Sequence, residues 1–183
     1  MHSEILVLDG FYDKPDEIRA IALSDDYSVT GNYPGKRTMP NLEVVSGLRT
    51  HVESIMSATI SIFTAEYNGA YQYCVESDRT WVHADTNNLW SGVVFLSPDP
   101  PLNSGTVFYK NKETGKRYWD TKDGPFSEDV GNDLDKWVET DYVANVYNRC
   151  VFWRGNLWHS AKTPYFGKSL KDARLFQTFF FDV

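Results

Sequence analysis

The sequence is short of the features that mark secreted, membrane-bound and redox-active proteins. It has only two cysteines, Cys74 and Cys150, which lie far apart and without the CxxC spacing of zinc or dithiol sites. No segment approaches about 18 uninterrupted apolar residues, and the N-terminus has no basic head followed by a long apolar stretch. We therefore expect reduced cysteines in a core, no contact with a membrane and a cytoplasmic location.

Positively charged residues are also fewer than negatively charged ones. The chain carries 18 lysines and arginines against 25 aspartates and glutamates, which gives a formal net charge of −7. Such a chain has no basic field to collect phosphate backbones, so nonspecific nucleic-acid binding is not expected. The expected partner is a small-molecule, peptide or protein substrate.

The sequence does contain a change at about residue 67, from patterns typical of helices to patterns typical of strands. Before it, Asp13, Pro15 and Glu17 form the pattern that begins a helix, and apolar residues at helical spacing predict a second helix over about 42–58. After it, short aromatic-rich strands alternate with turns. The sequence thus predicts one α+β, mainly β domain over 1–183, with helical support in 1–66 and a strand core in 67–183.

Several segments fit this outline. Turn residues over 27–41 predict a loop. The acidic run over 120–141 predicts a solvated insertion, with a lid that attracts a cationic substrate as the alternative. The predicted strands are Tyr71–Val75, Trp90–Ser97, Thr106–Tyr109, Ala144–Trp153 and Leu175–Val183.

The candidate chemistry begins with His83 and Asp85, which a strand would point to the same side. His159 follows a predicted strand ending at Trp153, and Arg174 begins the final strand, so both lie near strand ends rather than in a core. Taken singly, His159 is explained as a structural histidine and Arg174 as a surface ion-pair partner. Together, two imidazoles and one carboxylate leave three adjacent positions on Fe(II) for a chelating cosubstrate and dioxygen, and an arginine can hold the far carboxylate of that cosubstrate.

The order of the strand motifs carries a family resemblance. The stretches WVHADTNNLWSGVVFLS, SGTVFYKN, NRCVFWRGNLWHSA and ARLFQTFFFDV resemble, in that order, strands of the Fe(II)/2-oxoglutarate-dependent oxygenases in their compact prolyl-hydroxylase-like branch. FYDKPDEIRAIAL and NYPGKRT are similar to small, poorly characterised bacterial and phage members. The resemblance implies a double-stranded β-helix, a jelly-roll or cupin-like fold, with N-terminal buttressing helices.

Carried over residue by residue, the resemblance makes His83, Asp85 and His159 the catalytic iron ligands. It makes Arg174 the partner of the 2-oxoglutarate C5 carboxylate. The implied activity is a dioxygenase that uses Fe(II), 2-oxoglutarate and dioxygen, hydroxylates its substrate and releases succinate and carbon dioxide. Further contacts to 2-oxoglutarate are predicted from Tyr71, Tyr73 and Thr178.

The chain departs from the family pattern around the anchor. The insertion TPYFGKSLKD supplies rival cations, and Phe176 stands where many relatives have serine. Arg174 is still preferred because it alone begins an aromatic strand. The rival anchors are Lys162, Lys168 and Lys171.

Two other readings of the same residues stay open. A cupin-like hydrolase or isomerase would keep the three ligands and bind another divalent metal. A non-catalytic jelly-roll binding module would have no use for 2-oxoglutarate, and the three residues would then be accidental. Asp85 argues against halogenation, because the halogenases of this family lack that carboxylate.

Overall fold

Antiparallel β-sheets make up most of the structure, and few helices accompany them. The computed structural model describes residues 3–40, 42–63, 67–123 and 128–183, without the side chains of 42–46 and 128–129. The helices are α1 Pro15–Ser24, α2 Leu42–Met56 and α3 Glu128–Asn132. The strands are β1 Ile5–Leu8, β2 Lys36–Arg37, β3 Ile62–Phe63, β4 Tyr71–Cys74, β5 Trp90–Phe95, β6 Thr106–Asn111, β7 Trp137–Val143, β8 Cys150–Arg154, β9 His159–Ala161 and β10 Arg174–Asp182.

The described strands form a large and a small sheet. The large sheet has the order β1-β8-β5-β10-β4-β2, and β3 pairs with the C-terminal end of β10. The small sheet has the order β7-β6-β9. All of these pairings are antiparallel, and β10 joins β4 to β5 near the middle of the large sheet.

The helices cover one face of the large sheet. α1 begins at Pro15, where a proline has no amide hydrogen to lose, and buries Ala22. α2 buries Leu48 and Val52 in the same apolar cluster, which includes Phe179 of β10. The two predicted helices are therefore confirmed, although the residues 42–46 of the second apolar stripe have side chains outside the described set.

The other face of the large sheet packs against the small sheet. Because side chains alternate along a strand, Phe176 of β10 lies in the layer between the sheets, whereas Leu175 and Phe179 lie on the helix side. Phe176 and Phe95 share this layer with Phe108 of the small sheet. The His159 ring lies against this layer, with its centroid 6.4 Å from that of Phe108 and 4.8 Å from that of Trp153.

Two predicted irregular segments contain strands instead. The predicted loop over 27–41 includes β2, which pairs with β4, and the predicted insertion over 120–141 includes β7. β7 keeps Trp137 buried while its carboxylates face outward, where Glu139 pairs with Lys162 and Asp141 with Arg117. An edge strand whose five central residues are exposed therefore looked like an acidic loop in the sequence.

The strand predicted over 144–153 is shorter than expected and begins at Cys150. Cys150 and Cys74 are both free and buried, as predicted. None of the helices in the described residues is long and apolar enough to cross a membrane.

Candidate metal centre

The structure brings His83, Asp85 and His159 together. One potential ligand atom from each lies within 4.8 Å of the other two. The Nε2 atom of His159 is 3.4 Å from Oδ2 of Asp85, and Nε2 of His83 is 3.8 Å from Oδ1. Ligands about 2.1 Å from a shared ion lie about 3 Å apart when adjacent, so these spacings are compatible with one ion between the three side chains.

Backbone hydrogen bonds fix the three residues relative to one another. His83 and His159 exchange both N–H···O=C bonds at 2.9 Å, and the Asp85 amide donates to the Gly155 carbonyl at 2.7 Å. His83 makes only this isolated bridge and is not part of a regular strand, in contrast to the predicted strand. The shared direction of His83 and Asp85 therefore comes from pairing with the segment around β9, not from strand alternation.

The two imidazoles are held in the tautomer that a metal requires. Nδ1 of His83 lies 3.0 Å from the Trp81 carbonyl oxygen, and Nδ1 of His159 lies 2.8 Å from that of Leu157. A carbonyl can only accept, so each Nδ1 carries the proton and each Nε2 presents a lone pair. Both lone pairs are on the side where Asp85 lies, which is the arrangement that supports metal-bound histidines.

Electrostatics favour the metal-binding forms of His83 and Asp85. Burial lowers the pKa of His83, and the neighbouring His159 lowers it further. Burial alone would raise the pKa of Asp85, but interactions with the His159 and His83 side chains outweigh it and hold that pKa well below its usual value. A neutral imidazole and an ionised carboxylate are the forms that bind metal.

A proton titration tests this arrangement. In the metal-free protein we expect the His83 imidazole to titrate below its ordinary pKa of 6.5, and Asp85→Asn to lower the His83 pKa further, because the Asp85 charge raises it. Since the folded state holds His83 neutral, His83 contributes stability above pH 6.5 that is lost as the pH falls towards its folded pKa. Histidine C2–H NMR measures the titration, and a His83 pKa at or above 6.5 would contradict it.

His83, Asp85 and His159 line a cavity of about 250 Å³. Arg174 contributes a buried cation to this cavity. Its side chain is 3% exposed, its Nε donates to the Ser104 carbonyl at 3.1 Å, and its guanidinium lies 4.5 Å from the Phe176 ring centroid. Burial lowers its pKa, and no described aspartate or glutamate is within ion-pairing distance of it. A desolvated cation without an anion is costly, which favours an anionic ligand at this position.

The rival lysines are directed elsewhere. Lys162 pairs with Glu139, Lys168 pairs with Glu76, and Lys171 is exposed. None of the three lines the cavity. Arg174 is therefore the one candidate anchor of the predicted four that the structure places with the metal ligands.

Tyr71 and Tyr73 of β4 were predicted to contact 2-oxoglutarate, and their positions in the structure correct this prediction. Tyr71 and Tyr73 pack in the helix-side cluster, on the face of the large sheet away from the cavity. Alternation along β4 instead directs Gln72 towards the cavity. Thr178 does line the cavity, but its hydroxyl already lies 3.2 Å from the Tyr67 carbonyl oxygen and 3.3 Å from that of Ala70.

Two residues that line the cavity had no part in the sequence-based site. Tyr165 lies in the insertion before Arg174, and its buried side chain lies beside Cys74 and Thr80 at the cavity wall. Arg37 lies in the segment predicted as a loop. The only sequence signal for Arg37 was the resemblance carried by NYPGKRT, since neither residue belongs to a periodic pattern.

Gly155 offers a test of how tightly the ligand loop is held. A Cβ atom there would lie 2.4 Å from the Asn88 carbonyl oxygen and 2.6 Å from that of Asp85. We expect Gly155→Ala to destabilise the protein by about 1–3 kcal/mol and to weaken metal binding about tenfold or more, because the Asp85 loop must move. Thermal unfolding and metal titration measure both effects.

The matched control for Gly155→Ala is Gly47→Ala on α2. Gly47 is exposed, and a Cβ there meets no atom within 4 Å. This control should stabilise the helix by about 0.5–1 kcal/mol and leave metal binding unchanged. Equal metal affinities for the two variants would show that close packing at Gly155 does not position Asp85.

Comparisons with known proteins concern the family and the fold. A family model described as a family of unknown function (DUF6445) matches residues 1–181. No curated protein matches the sequence. Among solved structures, HygX from Streptomyces hygroscopicus with nickel and 2-oxoglutarate bound has a TM-score of 0.63 and 12% identity, over 97% of this chain and 82% of that one.

Two further structures extend the comparison. SnoN, a non-heme α-ketoglutarate-dependent epimerase from nogalamycin biosynthesis, has a TM-score of 0.59 and 15% identity, over 98% of this chain and 78% of that one. A prolyl-4-hydroxylase from Pseudomonas putida has a TM-score of 0.51 and 14% identity, over 97% and 91%. At these identities the likeness concerns the fold, and it confirms at that level the resemblance to the 2-oxoglutarate-dependent oxygenases.

Proposed function

This chain belongs to DUF6445, a family of unknown function, and we propose that it is a mononuclear non-haem Fe(II), 2-oxoglutarate-dependent dioxygenase. In this proposal it hydroxylates a substrate and releases succinate and carbon dioxide. The observation that carries it is one cavity lined by two imidazoles, one carboxylate and the buried Arg174, which has no carboxylate partner among the described residues. A two-histidine, one-carboxylate set suits Fe(II) with open positions, and a buried guanidinium suits the far end of a dicarboxylate.

We further infer that the two sheets form a double-stranded β-helix of jelly-roll or cupin-like type. The shared apolar layer between the sheets and the antiparallel pairing throughout support this fold. The His159 ring lies against that layer, and α1 and α2 buttress the outer face of the large sheet. This arrangement leaves the cavity accessible while the helices stabilise the sheet behind it.

His83 and His159 would hold the ion through Nε2, and Asp85 through a carboxylate oxygen. When bound, Fe(II) supplies the activation of dioxygen coupled to oxidative decarboxylation of 2-oxoglutarate. The carbonyls of Trp81 and Leu157 keep each Nδ1 protonated, so the imidazoles need no reorientation before the ion binds.

Arg174 would bind the C5 carboxylate of 2-oxoglutarate through its terminal nitrogens, since its Nε is already occupied by Ser104. Tyr165 would add a hydroxyl contact, because it lines the same cavity and is close enough to interact electrostatically with Arg174. The rings of Phe95 and Phe176 lie against the guanidinium and exclude water from it. Thr178 would form part of the cavity wall.

The buried Arg174 also weighs against the other two readings. A hydrolase or isomerase needs a metal-bound water or substrate, but no desolvated cation without an anion beside it. A binding module would have no reason to preset two Nε2 lone pairs towards one carboxylate. SnoN is described as an epimerase, so the form of the product has to be measured rather than assumed from the fold.

Succinate formation tests the proposed activity. We expect purified protein to convert 2-oxoglutarate to succinate slowly without added substrate, in a reaction that requires Fe(II) and dioxygen and is lost in His159→Ala. The matched control is His51→Gln, an exposed histidine on α2 whose Nε2 contacts the Phe11 carbonyl oxygen, and it should retain the activity. Succinate formation that survives His159→Ala at the wild-type rate would exclude this site as its source.

A further inference from the structure

Arg37 brings a second guanidinium to the cavity. In β2 it pairs in register with Gln72 of β4, and both side chains line the cavity that holds the triad. Arg37 also borders a neighbouring cavity of about 180 Å³, together with Asn87 and Asn88. Its side chain therefore lies between the metal centre and an adjoining pocket, where the body of a substrate can extend.

Neutral groups hold this guanidinium in place. Its Nε and Nη2 atoms donate to Oε1 of Gln72 at 2.9 and 2.6 Å, and Nε2 of Gln72 donates to the Pro34 carbonyl at 2.6 Å. The Tyr33 ring centroid lies 3.8 Å from the guanidinium carbon. Gln72 is 2% exposed, so the support is rigid. These contacts orient the guanidinium and leave its charge unneutralised.

The donors that remain have the geometry of a carboxylate site. Gln72 occupies the edge formed by Nε and one N–H of Nη2, which leaves the parallel N–H groups of Nη1 and Nη2 available. No described carboxylate forms an ion pair with Arg37. Among the described residues that line the cavity, Asp85 is the only carboxylate, and it is assigned to the metal.

The charges of the proposed complex leave Arg37 in excess. Fe(II), the Asp85 carboxylate, doubly ionised 2-oxoglutarate and Arg174 together sum to zero, so the cosubstrate complex has no anion for Arg37. A partly desolvated cation favours binding of an anion that reaches it. The positive charge of Arg37 is therefore available to bind an anionic group of a molecule that fills the rest of the cavity.

We propose that Arg37 binds a carboxylate of the primary substrate, which is therefore an organic acid held with its carboxylate at Arg37 and its reacting carbon towards the triad. This inference rests on the proposed function for the binding of 2-oxoglutarate at Arg174. It makes Arg37 a substrate-binding residue and Gln72 a positioning residue. The expected specificity is for an acid over its uncharged amide.

The test uses protein loaded with Ni(II) and 2-oxoglutarate, and a panel of N-acyl amino acids, each paired with its primary amide. Ligand-observed NMR gives the affinity of each member. We expect wild-type protein to bind the best acid at least tenfold more tightly than its amide, and Arg37→Gln to lose that preference. Lys36→Gln is the matched control, because it removes the same charge from the exposed neighbour on β2 and should keep the preference.

Gln72→Glu gives a second, independent variant. It places a carboxylate against Arg37 and neutralises the guanidinium while Arg37 itself stays in place. We expect the same loss of acid preference, with unchanged 2-oxoglutarate affinity. A preference that survives in both Gln72→Glu and Arg37→Gln would overturn the assignment of Arg37 as the acid-binding residue.

Two other outcomes would also overturn the inference. One is that no acid in the panel binds wild-type protein better than its amide. The other is that Arg37→Gln lowers the affinity for 2-oxoglutarate, which would make Arg37 a second cosubstrate anchor. The proposed function fails separately, if wild-type protein shows no Ni(II)-dependent 2-oxoglutarate binding. In that case, an Arg37-dependent preference for acids in metal-free protein would support a carboxylate site at Arg37 and contradict the oxygenase activity.

Discussion

Replacing Asp85 with alanine is expected to weaken divalent-metal binding by more than about a hundredfold and to leave the fold intact. Loss of an outer partner of a metal ligand alone costs about 10–100-fold in affinity, and Asp85 is the only anionic ligand of the three. Two neutral imidazoles cannot balance the charge of the ion in a buried cavity. Titration with Ni(II) measures the affinity, and circular dichroism measures the fold.

The control for Asp85→Ala is Asp135→Ala, which removes an exposed carboxylate that does not line the cavity. It should bind metal as the wild type does. A folded Asp85→Ala variant that retains metal affinity would exclude this carboxylate as a ligand. A variant that does not fold would instead assign Asp85 a structural role in the loop between His83 and β5.

Replacing Arg174 with methionine is expected to have opposite effects on cosubstrate binding and on the metal-free fold. Affinity for 2-oxoglutarate should fall by about 30-fold to 4,000-fold, because removing one partner of a buried charge pair costs about 2–5 kcal/mol. The melting temperature without ligands should stay the same or rise, because a desolvated cation is replaced by an apolar side chain between the rings of Phe95 and Phe176.

The shift of melting temperature with added 2-oxoglutarate, in the presence of Ni(II), measures both effects at once. Lys168→Met is the matched control, since Lys168 is an exposed lysine of the insertion that pairs with Glu76 at 3.7 Å. It should respond to 2-oxoglutarate as the wild type does. An unchanged response in Arg174→Met, or a loss of response in Lys168→Met, would move the anchor away from Arg174.

The elements predicted correctly from the sequence are those with strong local patterns. α1 has a proline and acidic residues in its first turn, and β10 is a long aromatic strand that begins with Arg174. The three candidate ligands were proposed from motif order, because the number of residues between His83 and His159 does not indicate the distance between their side chains. Their proximity comes from one backbone bridge between distant segments.

The face of β4 could not be read from its sequence. Nearly all of YQYC is buried, with one face against the helices and the other towards the cavity, so no polar side marks the phase of the alternation. Tyr71 and Tyr73 were therefore predicted on the cavity side, whereas Gln72 occupies it. In a strand of four residues with two buried faces, the sequence does not show which alternate residues share a face, and this choice decides which side chains line the cavity.

Arg37 and Tyr165 were missed for a different reason. Each lies in a segment rich in turn residues, and each reaches the cavity through long-range contacts, Arg37 by pairing of β2 with β4 and Tyr165 by packing in the layer between the sheets. Such placement depends on tertiary structure and leaves no local periodicity. The acidic β7 was missed similarly, because its outward carboxylates are balanced by Lys162 and Arg117 from other segments.

The most direct test is an anaerobic titration of the purified protein with Fe(II) and 2-oxoglutarate, followed by visible spectroscopy. A weak charge-transfer band that requires both additions and disappears in His83→Ala is the predicted result, because it reports 2-oxoglutarate chelated to an iron held by this triad. No band in wild-type protein, with iron shown by dialysis to be absent from the protein, would contradict the assignment of an Fe(II)/2-oxoglutarate site.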